Sequence, residues 1–99
     1  MRETEYEVCD ITKVTVTTTA RTFQNIGIDI NPRARSIALH NLGSAQIHLT
    51  VNGDTPDADD FTLLANAANV FDCTANVARK IKFSVSSGTS PMNVQQAGG

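Results

Sequence analysis

The chain has no Trp, one Tyr, two Cys, two His and three Pro in 99 residues. With only Cys9 and Cys73, and no CxxC spacing, the sequence offers neither a disulfide framework nor a thiolate metal or redox pair. Both cysteines read as small buried thiols. With Tyr6 as the lone Tyr, it also lacks the aromatic platforms on which a sugar-binding face is usually built. No stretch approaches the roughly 20 apolar residues that span a bilayer, and "MRETEYEVCD" has no apolar centre for a secretory signal. The chain is therefore expected to be made soluble in a cytoplasm. A net charge of −2 creates no field for nucleic acid or an anionic membrane, and neither is an expected partner. No GxSxG elbow, Walker loop, GxGxxG fingerprint or HExxH helix occurs. An enzyme is not expected, and no catalytic, cofactor-binding or metal-ligating residue is assigned.

What is present is aliphatic and arranged in short runs. Hydrophobic residues make up 40% of the chain, the proportion of an ordinary small domain. At this length one domain, residues 1–99, is expected, with residues 1–12 a candidate N-terminal arm. In "KVTVTTTARTFQNIGIDI", Val14 and Val16, then Ile26, Ile28 and Ile30, recur at every second position, which predicts two half-buried strands with a slip of phase near residues 23–25. Asn31-Pro32 breaks the run. "VARKIKFSV" predicts a strand with Ile81, Phe83 and Val85 inward and Lys80, Lys82 and Ser84 outward. "MNVQQ" predicts a last short strand with Met92 and Val94 inward. Residues 59–69 fit either a helix face capped by Asp59 or Asp60, or two strands around "ANAAN"; two strands are favoured. The sum is about eight short strands without a reliable helix. This pattern fits an all-β fold, a single antiparallel β-sandwich of jelly-roll or Ig-like type.

Two sets of residues invite a chemical reading. "SIALHNLGSAQIHLTV" reads as a hairpin around residues 43–45, pairing Leu39 with Leu49 and Ile37 with Val51, and so setting His40 opposite His48 on the outer face. A zinc ion wants three or four ligands, or a carboxylate to orient each imidazole, and the hairpin supplies neither. The pair is read as solvent-facing or interfacial, with a metal or acid–base role as the alternative. In "NGDTPDADD", Asp54, Asp57, Asp59 and Asp60 suggest calcium, but the central Gly and terminal Glu of an EF-hand loop are missing. A soluble loop tip is the plainer reading. The remaining charge is also clustered, with Glu3, Glu5, Glu7 and Asp10 at the start, Arg33 with Arg35, and Arg79, Lys80 with Lys82. Opposed patches of this kind are one way in which repeated subunits register against one another.

From residue 36 to residue 96 the sequence resembles small virion structural proteins of tailed bacteriophages. The likeness rests on a strand ending in Asn (39–41), a small-residue turn (42–45), a strand with a Gly-containing loop (47–53), an F-x-L strand (61–64), an Ala-rich turn (65–69), an apolar-Phe strand (70–71) and the "SGT" turn (87–89). "ANAAN" departs from it by lacking the usual Gly, and the acidic start has no counterpart. The resemblance implies a non-enzymatic β-sandwich subunit that acts as a capsid decoration (cement) protein, a head fibre base, or a tail or head–tail accessory subunit; of these, a decoration protein that binds and stabilises the outside of the shell is the favoured expectation. A tail or head–tail accessory subunit and a carbohydrate- or receptor-binding module are the alternatives. It also implies the major capsid protein or other virion subunits as partners, a homo-oligomer with a trimer favoured, and a virion location after assembly in the host cytoplasm. The Thr-rich residues 15–22 are the expected inter-subunit contact.

Overall fold

The computed structural model of the chain describes residues 8–57 and 59–98, with side chains in the first strand from Ile11 onward. Glu3, Glu5, Tyr6 and Glu7 lie outside the described residues, as do the side chains of Cys9 and Asp10. Eight strands are described: β1 (Val8–Val16), β2 (Arg21–Thr22), β3 (Ala34–Asn41), β4 (Ile47–Thr50), β5 (Phe61–Leu63), β6 (Ala68–Asp72), β7 (Lys82–Val85) and β8 (Ser90–Gly98). They are joined by a 3-10 turn over Gln24–Ile26 and one helical turn, α1 (Ala75–Ala78). Residues 8–12, part of the stretch expected as an arm, run within β1.

The strands make two four-stranded sheets in the orders β1-β8-β3-β6 and β2-β7-β4-β5. Four antiparallel pairs nest inside one another: β1 with β8, β2 with β7, β3 with β6, and β4 with β5. This order is not the ABED and CFG order of an immunoglobulin domain. Alternation supplies the interior. Ile37 and Leu39 of β3, Met92 and Val94 of β8, Ile47 and Leu49 of β4, and Phe83 and Val85 of β7 are each at most 2% exposed. Each such side chain contributes about 1.5–3 kcal/mol when fully buried. Phe23, just after β2, is fully buried, its ring 5.0 Å from that of Phe83.

Three expectations are corrected. First, residues 38–49 are not a hairpin, because β3 lies in one sheet and β4 in the other. Burying both apolar sets in a common core is satisfied equally well by two strands of one sheet or by two strands facing each other across a sandwich, and periodicity does not distinguish the cases. Second, Ile28 and Ile30 are buried but belong to no strand. The side-chain amide of buried Gln96 takes the place of a ladder partner: its Oε1 accepts from the Asn31 N–H at 2.8 Å and its Nε2 donates to the Asp29 carbonyl at 2.9 Å. Third, the strand expected over residues 77–85 begins only at Lys82. The preceding turn is helical, started by Thr74, whose hydroxyl accepts from the Val77 N–H. Ser84 faces outward with His48, as expected, yet is covered there and only 6% exposed.

Candidate functional site

The nested topology separates the two histidines. His40, on β3, lies between Asn93 of β8 and Ala68 of β6 and is half-buried. His48, on β4, lies between Ser84 of β7 and Thr62 of β5 on the outer face of the other sheet and is 6% exposed. The pairing of His40 with His48 is thus overturned.

Both nitrogens of the His48 ring are engaged by hydroxyl groups. The Thr62 hydroxyl donates to the Asp60 carbonyl at 3.1 Å. Its oxygen is then free to accept from His48 Nδ1, 2.8 Å away, while Nε2 and the Ser86 hydroxyl share a hydrogen bond of 3.1 Å. His48 ties three segments of one sheet together.

The aspartate loop turns its acceptors on itself. Asp57 Oδ1 accepts from the Asp59 N–H at 2.8 Å, Asp60 Oδ2 from the Asp57 N–H at 2.9 Å, and Asn52 Oδ1 from the Asp54 N–H at 3.1 Å. Among the described residues no three His, Cys, Asp or Glu side chains converge as ligands for an ion. Cys73 is a free, half-buried thiol. Burial, and then the neighbouring Asp72 carboxylate, push its pKa up. Of the basic residues, Arg35 donates to the Ala34 carbonyl, and Arg79 donates to Asn76 Oδ1 and to the Ile30 carbonyl. Arg79 thereby closes the wall of an open groove of about 520 Å³ lined also by Gln24, Asp29 and Asn31.

Two features had no signal in the sequence strong enough to single them out. Asn41 stands at the inward-facing position after Ile37 and Leu39 and is fully buried. Its Nδ2 donates to the carbonyls of Ala45 at 2.7 Å and Leu63 at 3.0 Å, and its Oδ1 accepts from the Gly43 N–H at 3.0 Å and the Ser90 hydroxyl at 2.6 Å. All its bonding capacity is used to fix the crossing from one sheet to the other. An Asn breaking an alternating apolar row was the available signal. The second feature lies on the outer face of the β1-β8-β3-β6 sheet, where Ile11, Gln95, Ala38 and Val70 form one cross-strand row. Its end residues, Ile11 and Val70, are 65% and 61% exposed.

No family model matches the sequence, and no curated protein does. Among solved structures, an oxidoreductase of the 2OG-Fe(II) oxygenase family from Burkholderia pseudomallei is similar over 95% of this chain, with a TM-score of 0.50 and 14% identity. This chain spans only 44% of that protein. The likeness is one of fold: a two-sheet β architecture. Looser likenesses are to the Tobacco streak virus coat protein (TM-score 0.43, 11% identity, 89% of this chain and 85% of that one) and to the pilus-forming Bacillus endospore appendage (TM-score 0.39, 12% identity, 100% and 96%). No described helix is long and apolar enough to cross a membrane.

Proposed function

We propose that the chain is a non-enzymatic structural subunit of a tailed-bacteriophage virion, a capsid decoration subunit that docks on the outside of the shell and stabilises it. The observation that carries this reading is the outer face bearing Ile11 and Val70. It is a four-strand surface with Gln95 and Ala38 in the middle of the row and the exposed aliphatic side chains of Ile11 and Val70 at its two ends. Exposed aliphatic groups on a sheet face are what a docking surface uses. Strand order supports the reading in a general way: a sandwich of eight strands in two sheets with nested antiparallel pairs fits a jelly roll, an architecture used by viral capsid proteins but also by lectins and cupins, and fold alone does not fix function. The sequence resemblance over residues 36–96 supplies the virion context. The mechanism is passive: many copies each bridge neighbouring shell subunits through a modest contact, and avidity multiplies the effect.

The test is purification of virions from infected cells followed by mass spectrometry and labelling of the chain in electron micrographs. A fixed copy number on the head exterior, with particles that lose their genome at a lower temperature when the chain is stripped, is the expected result. Absence from purified virions overturns the proposal, while label confined to the tail selects the accessory-subunit alternative.

A further inference from the structure

Among the described side chains, the exposed charges at the two edges of the sandwich differ in sign. On one side lie the edge strands β1 and β2, carrying exposed Lys13 and Arg21 with exposed Ile11. Half-buried Lys82 stands next to this side, opposite Thr22 of β2. On the other side lie the edge strands β6 and β5, carrying exposed Asp72, the loop with exposed Asp54, Asp57 and Asp59, and exposed Val51, Phe61, Leu64 and Val70. Among the described residues β1 has a single ladder partner, β8, and β6 a single one, β3. Each therefore presents an open backbone edge of the kind that pairs with another chain unless it is covered. Along the sheet β1 and β6 run in opposite directions, because each successive pair is antiparallel. A neighbour related by rotation about an axis along the strands thus brings its β1 antiparallel to β6, with Ile11 on the same outer face as Val70.

We infer that copies of this chain associate head to tail, the Lys13/Arg21 side of one docking against the Asp59/Asp72 side of the next. The occupant of each side is a second copy, because charge, exposed aliphatic surface and strand direction on one side each find their complement on the other. Contacts of this heterologous kind close into a ring when the rotation closes. The Thr-rich residues 15–22, at the junction of β1 and β2, fall within this contact. The inference deepens the proposed subunit function by naming the surfaces through which the subunit meets itself. The contrast in charge is that of the described side chains; Glu3, Glu5, Glu7 and the side chain of Asp10 lie outside them.

The experiment is sedimentation of the full chain and of two charge-reversed variants, K13E/R21E and D59K/D72K, with circular dichroism as the check on folding. The wild-type chain is expected to associate, and at least about tenfold more strongly at about 50 mM than at about 500 mM salt, since exposed charge pairs are screened within a Debye length. Each variant alone, with like charges now facing one another at the exchanged positions, is expected to associate more weakly than the wild type. Mixed one to one, they recover association, because the exchanged positions of one variant again face charges of opposite sign on the other. Should a charge variant fail to fold, Ile11→Ser and Val70→Ser test the same contact by weakening association. A monomeric wild-type chain, variants that associate as the wild type does, or folded variants that do not complement overturn the inference. A monomer that still decorates virions would leave the proposed function standing, whereas a head-to-tail assembly absent from virions would remove that function and leave the contact.

Discussion

At the scale of single residues, the buried amide of Asn41 is the clearest case of one side chain specifying architecture. Asn41→Ala leaves two carbonyls, one amide N–H and the Ser90 hydroxyl without their partner. Buried groups orphaned in this way cost about 1–3 kcal/mol each before the site relaxes, so a loss of about 3 kcal/mol or more in urea unfolding is expected. Asn76→Ala, at an exposed position with one hydrogen bond to Arg79, is expected to stay within about 0.5 kcal/mol. Gly43 belongs to the same corner: a Cβ there would collide with Ser90 Oγ and come within 2.7 Å of Pro91 Cδ. Cys73 provides a pH-dependent prediction. Because burial and Asp72 raise its folded pKa, its contribution to stability is complete below the pKa of the unfolded thiol and is lost as pH rises through the folded value. In a Cys9→Ser background, alkylation of the native chain at mildly alkaline pH should therefore be slower than that of the unfolded chain. Asp72→Asn, which removes the like charge, should speed it. Equal rates in all three would show that neither burial nor Asp72 governs the thiol.

At the scale of elements, what the sequence revealed was alternation, and what it concealed was the partner of each alternating run. Val16, Leu63, Ile81, Phe83, Met92 and Val94 point inward as their spacing requires, and the two short strands around "ANAAN" appear as β5 and β6. Residues 38–49 read as a hairpin because a three-residue loop gave consistent parity. The corner that replaces it is closed by contacts from Leu63, Ser90 and Pro91, distant in sequence and invisible to local reasoning. The isoleucines at 26, 28 and 30 alternate like a strand, and Gln96 lets two of them be buried without one. Of the candidate site, the aspartate segment was legible as a polar loop but not its bonds to its own backbone, and His48 was legible as a residue but not as a buried clamp. Where the sheets meet at the β5–β6 side, the Phe61 and Phe71 rings lie edge to face, 5.3 Å apart, linking strands of different sheets. A double-mutant cycle on Phe61→Leu and Phe71→Leu should give a coupling of about 0.5–1.5 kcal/mol, the range for such aromatic pairs beyond their buried area. A coupling near zero would mean that the edge is held by other contacts.

At the scale of the whole molecule, nesting makes the first strand depend on the last. β1 and β8 pair along nine residues, from Val8 opposite Gly98 to Val16 opposite Ser90, so the largest ladder of the sandwich also spans the greatest separation in sequence. β8 is moreover an interior strand, bonded to β1 on one side and β3 on the other. Removing residues 90–98 would expose both neighbours and uncover Ile37 and Leu39, and the truncated chain is expected not to fold. The same nesting brings the described ends of the chain together, since Val8 and Gly98 are direct partners. Continuity at that point is therefore dispensable if it is restored by a linker, and a break is tolerated where the backbone is exposed and contributes no ladder. Such a place is the loop between β4 and β5, where residues 54, 55 and 57 are exposed. A circular permutant with residues 1 and 99 joined by a short Gly-Ser linker and new ends at residues 57 and 58 should keep the circular dichroism spectrum of the parent and unfold cooperatively. The cut falls within the Asp57–Asp60 hydrogen bonds, so a modest fall in melting temperature is expected with the fold intact. A permutant that fails to fold would mean that the innermost pair, β4 with β5, must form through its own loop before the outer ladders can close around it.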